Sequence, residues 1–145
     1  MTPDVTHRLV YLSTAVGVLR ADELDRIWLR ARAANAAAGV TGLMLFHQGV
    51  FLQVIEGPAA GVTSLFERIR RDRRHANLTI LESGPVEERA FANSPMTYIS
   101  ARNLSAGEKQ AFTDLHAAVT ARPGLQALAD IGLSGFLAAF SLRTA

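Results

Sequence analysis

Apolar positions follow two different periods along this chain, and the switches between them mark out its elements. His7 to Ser13 is a continuous strand-length apolar run, with Leu9, Tyr11 and Ser13 on one face. Helical spacing follows: Leu24, Ile27, Trp28, Ala31, Asn35 and Ala38 share one stripe, with Asp22 placed as N-cap, acidic Glu23 and Asp25 in the first turn, and Gly39 placed to end the helix. Val40 to Phe46 and Val50 to Glu56 read as strands, and Gln48-Gly49 between them suits a tight hairpin. On the second of these strands, period two puts Phe51, Gln53 and Ile55 on one face. Pro58 suits the first position of a second helix, whose apolar stripe is Val62, Leu65, Phe66 and Ile69. Leu78 to Glu82 is a further strand, the segment from Gly84 to Pro95 is irregular, and Met96 to Ser100 suits a fifth strand.

The resulting order, β-α-β-β-α-β plus one strand, predicts an α+β fold of the ferredoxin-like type: an antiparallel sheet with an extra strand and two helices on one face. The bare face calls for a cover, and the tail is apolar enough to supply it. Ser105-Ala-Gly-Glu108 is a capping box that starts a helix through about Thr120. Pro123 breaks that helix, and a last apolar segment from Leu125 to Leu142 is interrupted by Gly132 and Gly135. No linker or internal repeat divides the chain, so residues 1–102 form a core and residues 103–145 form capping helices within the same compact unit.

Composition narrows the class. The 145 residues are 49% hydrophobic and suffice for one domain with a real core. No apolar run is long enough to span a bilayer, and the N-terminus lacks a signal-peptide pattern, so a cytoplasmic location without membrane contact is expected. With no cysteine there is neither a disulfide nor a thiolate metal site. His7, His47, His75 and His116 lack metal-ligand spacing, and no phosphate-binding loop, dinucleotide fingerprint or serine elbow is present. Nothing in these motifs indicates an ordinary enzyme. The formal net charge is only +2, and the one basic concentration is Arg68, Arg70, Arg71, Arg73 and Arg74, which suits either phosphates or plain solvation of a helix end. A nucleic-acid module using those arginines would want an exposed aromatic platform, which the sequence does not offer.

Two uncharged amides stand where apolar residues are the default. Asn35 lies on the core-facing stripe of the first helix, and Gln53 faces inward from a strand. A buried amide without partners costs a few kcal/mol, so the pair suits a polar ligand held in the interior, although Asn35 also suits a helix-end cap. Tyr11 belongs with them, because in a ferredoxin-like sheet the first and third strands are neighbours.

Those same positions carry a family resemblance. Leu-Val-Tyr11-Leu-Ser, Asn35-x-x-x-Gly-Val-Thr-Gly-Leu-Met-Leu, Phe-Leu-Gln53-Val-Ile-Glu-Gly and Arg-x-Asp72-x-Arg-His75 resemble the BLUF domain, a blue-light sensor that uses flavin, over about His7 to Met96. The tail resembles the capping helices of short, stand-alone members. The resemblance implies noncovalent FAD between the sheet and its two helices. Asn35 would bond the polar edge of the ring, and Gln53 would lie between Tyr11 and the ring. Ser13, Ile27 and Phe51 would join the site, with Arg32, Arg68, Asp72 and His75 near the ribityl chain and phosphates. Tyr11, Gln53 and Met96 would be the photoactive group: Tyr11 gives up an electron and a proton, Gln53 rotates or tautomerises, and the absorption shifts to the red. Signal output would pass through the fifth strand and tail to a homo-oligomer interface or a separate protein partner. Many members carry a tryptophan two residues before the methionine, where this chain has Ser94, and Ala34 stands where a polar residue is frequent. The rival reading is a flavin-free ferredoxin-like module that serves protein interactions alone.

Overall fold

The computed structural model describes residues 5–121, 135–138 and 140. Its elements run β1 (Thr6–Ala15), α1 (Ala21–Ala37), β2 (Thr41–His47), β3 (Val50–Pro58), α2 (Ala59–Arg70), β4 (His75–Val86), β5 (Thr97–Ile99), a 3-10 turn (Ala101–Asn103) and α3 (Ala106–Ala121). One sheet holds the five strands in the order β4-β1-β3-β2-β5. Its first four strands pair antiparallel in the ferredoxin-like arrangement. The extra strand β5 runs parallel to β2, as Leu43↔Thr97 and Met44↔Tyr98 show.

Local chemistry explains most boundaries. Gln48 and Gly49 both take positive φ, 51° and 80°, as a two-residue hairpin with the twist of its strands requires. Gly39 follows α1 with φ 70°, the left-handed cap conformation. Ser105 and Glu108 close the reciprocal capping box of α3: each backbone N–H donates to the other's side chain, at 2.7 and 3.1 Å. Two helix starts differ from the sequence expectation. The N-cap of α1 is Arg20, so Asp22 falls inside the first turn; the Glu23 carboxylate accepts from the Arg20 backbone N–H at 3.3 Å and satisfies the end two residues earlier. Pro58 closes β3 and caps α2 rather than opening it. Strand β4 is also longer at both ends than Leu78 to Glu82, taking in Gly84 to Val86 from the segment expected to be irregular. It is an edge strand whose register against β1 shifts twice, and Asn77 takes φ 53° at the second shift, so no single alternation runs along it.

Alternation divides the apolar residues between two cores. On one face Leu9, Tyr11, Met44, Phe51, Ile55 and Met96 meet Leu24 of α1 and Val62 and Leu65 of α2. On the other face Val10, Leu12, Leu43, Leu45, Leu52, Val54 and Leu81 are covered by Phe91, Leu104, Phe112 and Leu115, together with Leu137 and Phe140 from the tail. The tail therefore caps the face opposite α1 and α2. The break at Pro123 and most of the segment from Leu125 to Leu142 lie outside the described residues.

One charge is set inside that second face. Glu56 on β3 is fully buried and sits directly across from Arg8 of β1. It accepts from Arg8 Nε at 2.7 Å and from the backbone N–H groups of Ala90 and Phe91 at 3.0 and 2.8 Å. A buried carboxylate is tolerable only with such a full set of donors. Here they tie the chain between β4 and β5 to the centre of the sheet, and so set where Met96 begins. Glu56→Ala would remove the shared acceptor of Arg8 Nε and the Ala90 and Phe91 amides, although Arg8 keeps Glu82 at 3.5 Å; it is expected to cost about 3 kcal/mol. Urea unfolding of variant and parent is the check, and a loss under 1 kcal/mol would show the loop to be held by other contacts.

Candidate functional site

A cavity of about 270 Å³ opens between the sheet and the two helices that cover its first face. The period-two face of β1 and β3 supplies its floor, with Tyr11, Phe51 and Gln53. The helical stripes supply the walls, with Ile27, Ala31, Ala34 and Asn35 from α1 and Leu65 and Ile69 from α2; Met96 closes one end. Its size sits near the lower bound of small-molecule sites, ~300–1,000 Å³.

At its centre, Tyr11 and Gln53 face each other as a direct register pair of β1 and β3. The buried Tyr11 hydroxyl donates to Gln53 Oε1. Phe66 packs edge-on against the phenol at 6.1 Å, and the His75 ring lies 6.5 Å from it. Burial pushes the phenol well above its ordinary pKa, and the nearby Asp72 carboxylate acts in the same direction. Tyr11 is thus a protonated donor whose hydrogen-bond partner among the described residues is the glutamine. With Oε1 engaged, the Gln53 Nε2 amide has no acceptor among the described residues, although Gln53 is only 8% exposed and lines the cavity.

Asn35 is 2% exposed, and its side chain does not cap α1. Nδ2 donates instead to the Pro95 carbonyl at 2.7 Å, which leaves Oδ1 as an acceptor in the cavity wall. The residues fit a flavin ring: broad apolar walls for its faces, and an unmatched amide donor and acceptor for its polar edge.

The charged rim sorts the arginines. Arg30 and Arg68 line the cavity, and neither has a carboxylate partner among the described residues. Asp72 and Arg74 also line it but hold each other, with Arg74 Nε 3.0 Å from both Asp72 oxygens; those bonds keep the Asp72 carboxyl below its usual range. His75 lines it with Nε2 bonded to the Ile69 carbonyl at 2.7 Å, which requires the proton on that nitrogen. Arg70 and Arg71 point to Glu67 instead, at 2.7 and 3.9 Å, and Arg73 is exposed. Of the residues expected at the site, Tyr11, Ile27, Asn35, Phe51, Gln53, Arg68, Asp72, His75 and Met96 come together. Two do not. Arg32 is exposed outside the cavity, with its guanidinium 5.9 Å above the Trp28 ring. Ser13 is buried opposite Phe51 without lining the cavity, and its enclosed hydroxyl has no hydrogen-bond partner among the described residues. Arg30 was not anticipated, and Arg74 was expected only as a member of the basic cluster that suits either phosphates or solvation. Arg30 is the more telling of the two, because it lies three residues after Ile27 on the same stripe, a spacing that points to this rim. Trp28, expected in the core, is half-buried and donates its indole N–H to the Met96 carbonyl at 2.8 Å. No group of three or more His, Cys, Asp or Glu able to hold a metal occurs among the described residues. No described helix is long and apolar enough to cross a membrane.

Known proteins share this arrangement. The photoactivated adenylate cyclase subunit alpha of Euglena gracilis is 36% identical over 93 residues, covering 64% of this chain and 9% of that protein. The chain thus spans about a tenth of the length of such curated relatives. Among solved structures, a bacterial light-regulated adenylyl cyclase matches 79% of this chain and 34% of its own, at 32% identity and TM-score 0.70. The dark-state structure of BlrB, a BLUF protein, matches 94% of this chain and 98% of its own, at 26% identity and TM-score 0.72. The profile of the sensors of blue light using FAD matches residues 6–97, taking in all five strands as far as the first residue of β5 and every cavity residue described above. With Tyr11, Gln53 and Asn35 lining one cavity and the profile matching residues 6–97, the chain belongs to the BLUF family, the blue-light sensors that use FAD.

Proposed function

We propose that this protein senses blue light through the Tyr11–Gln53 hydrogen bond and delivers the signal in trans, through its C-terminal helices or an oligomer interface. The observation that carries this reading is the arrangement of the pair: a buried phenol whose proton is already aimed at the amide that faces the cavity. When bound, FAD supplies the blue absorption and an oxidising excited state. Tyr11 is the oxidisable neighbour, losing an electron and, along its hydrogen bond, a proton. Gln53 is the switch, because a primary amide both donates and accepts and can be re-paired by rotation or tautomerisation without a lasting covalent change. Return of the electron and proton to Tyr11 restores the starting pattern. Asn35 would hold the ring edge through Oδ1, and Arg30 and Arg68, which have no carboxylate partner among the described residues, would hold phosphate oxygens. Asp72 and His75 would line the ribityl side, with Asp72 kept from repelling phosphate by its bond to Arg74. Arg32, which the resemblance assigns to the phosphates, is committed to the Trp28 ring and serves α1 instead.

For output, the described tail residues Leu137 and Phe140 cover the sheet face opposite the cavity, and Phe136 is only partly buried beside them. That supports a tail that both caps the sheet and meets a second copy or a protein partner in the cytoplasm.

Tyr11→Phe removes only a hydroxyl, so FAD retention should persist while the light-induced red shift is lost. Gln53→Leu should likewise stay yellow and spectrally silent. Absorption spectra before and after blue light decide both, and a normal shift in either variant would remove that residue from the mechanism.

Arg30→Ala should weaken FAD binding by about 1–3 kcal/mol, the worth of one or two charge-assisted hydrogen bonds, whereas Arg32→Ala should leave it unchanged. Flavin occupancy after dialysis separates the two arginines, and equal losses would return Arg32 to the phosphate site.

Light scattering on the full-length protein, dark and lit, tests the output. Self-association that changes with illumination is expected. A monomer in both states, without a light-dependent partner, would count against signalling by assembly.

A further inference from the structure

The chain holds a single tryptophan, and it lies outside the cavity wall yet is fastened to it. Trp28 and Asn35 are seven residues apart on α1, two turns along the same face. Their side chains donate to consecutive backbone carbonyls, Asn35 to Pro95 at 2.7 Å and Trp28 to Met96 at 2.8 Å. Two other bonds at this stretch are longer. Gly42 N–H donates to the Ser94 carbonyl at 3.3 Å, and Met96 N–H donates to Ser94 Oγ at 3.3 Å. Strand β5 begins only after Met96 and has three residues at the sheet edge, too short to fix the backbone by its own ladder. Helix α1 therefore grips the Met96 segment more closely than these main-chain neighbours do.

A second path ends at the same indole. Tyr11, Gln53, Met44 and Tyr98 form one row across β1, β3, β2 and β5, each directly paired with the next. The Tyr98 ring packs against Trp28 with centroids 6.2 Å apart. Trp28 thus touches the backbone of one residue that closes the cavity and the side chain of another in register with the switching glutamine. On its outer side, Arg32 covers the ring, and Leu29 beside it is 54% exposed.

We infer that Trp28 is a positioning residue for the light response, coupling the Gln53–Met96 end of the cavity to helix α1 through its bond to the Met96 carbonyl. The inference rests on the photoreceptor reading above and adds a route that leaves by α1, on the opposite side of the sheet from the tail. It also gives a physical role to this side of Met96 in a chain whose position 94 is serine. A change in the Gln53 amide presses on its neighbours in the cavity wall, and any shift of the Met96 backbone lengthens the indole bond or drags Trp28 with it. Interiors are too densely packed for the movement to be absorbed locally.

The test uses the FAD-loaded full-length protein. Because there is one tryptophan, its ultraviolet resonance Raman bands report the Trp28 N–H environment alone. The hydrogen-bond-sensitive indole band should shift on blue illumination, and amide exchange across residues 21–37 should change with it. Trp28→Phe keeps a ring beside Tyr98 but has no N–H. It should retain the red-shifted absorption and lose the light-dependent exchange change in α1. An indole band identical in dark and light, in protein that does form the red-shifted state, would overturn the coupling. So would a full exchange response in Trp28→Phe. A wild-type protein without any red shift would overturn the photoreceptor reading itself, and the visible spectrum tells the two failures apart.

Discussion

The alignment of β1 against β3 is the constraint on which the rest of this molecule depends. Tyr11 and Gln53 meet only because they are opposite one another on adjacent central strands. A slip of one residue would turn one of them to the other face of the sheet, since side chains alternate strictly. Several features hold the register from both sides. Arg8 and Glu56 are paired three residues along the same ladder, on the opposite face. The Gln48-Gly49 turn fixes β3 against β2. Gly42 lets β2 lie close, because a Cβ there would stand 2.0 Å from the Val54 carbonyl oxygen. The polar pair on one face is thus kept in place partly by the ionic pair on the other.

The two faces divide the work. The tail side is a packed apolar core with one buried carboxylate, and that carboxylate anchors the loop leading to Met96. The cavity side has polar groups left over once the bonds among the described residues are made: the Gln53 amide nitrogen, Asn35 Oδ1 and, at the rim, Arg30 and Arg68. Unmatched polar groups in a partly closed apolar space are unfavourable for an empty fold and favourable for one that holds a ring with a polar edge. The Met96 segment belongs to both sides, fixed from behind through Glu56 and from in front through Asn35 and Trp28.

Much of this was legible in the residue pattern. Alternation placed Tyr11, Phe51 and Gln53 on one face, and helical spacing turned Asn35 toward them, because buried elements leave a periodic trace. The features that were not legible have physical reasons. Strand β4 was underestimated because it lies at an edge, and two register shifts break its alternation. Arg32 was placed near the phosphates by family resemblance alone; Arg30 lies two positions earlier on α1, and it is the guanidinium that lines the cavity, because the neighbours at the rim decide which long side chain reaches it. The role of Trp28 was hidden because its partner is a backbone carbonyl, which has no signature in sequence. Glu56 was more accessible to reasoning. An acid within an apolar strand, opposite an arginine once β1 and β3 are aligned, suggests a buried pair.

The place of β1 in the sheet has a consequence for how the molecule comes into being. The first strand made is the one that ends in the middle, between β3 and β4. The β2–β3 hairpin is local and closes quickly, on the order of 1–10 μs. Strand β1 must wait for partners some forty to eighty residues later in the chain, and pairings of that span are the slow ones in folding. Tyr11 therefore leaves the ribosome long before it has a glutamine to face. Met96 emerges later still, so the cofactor finds its complete set of contacts only once the chain has been made as far as the start of β5.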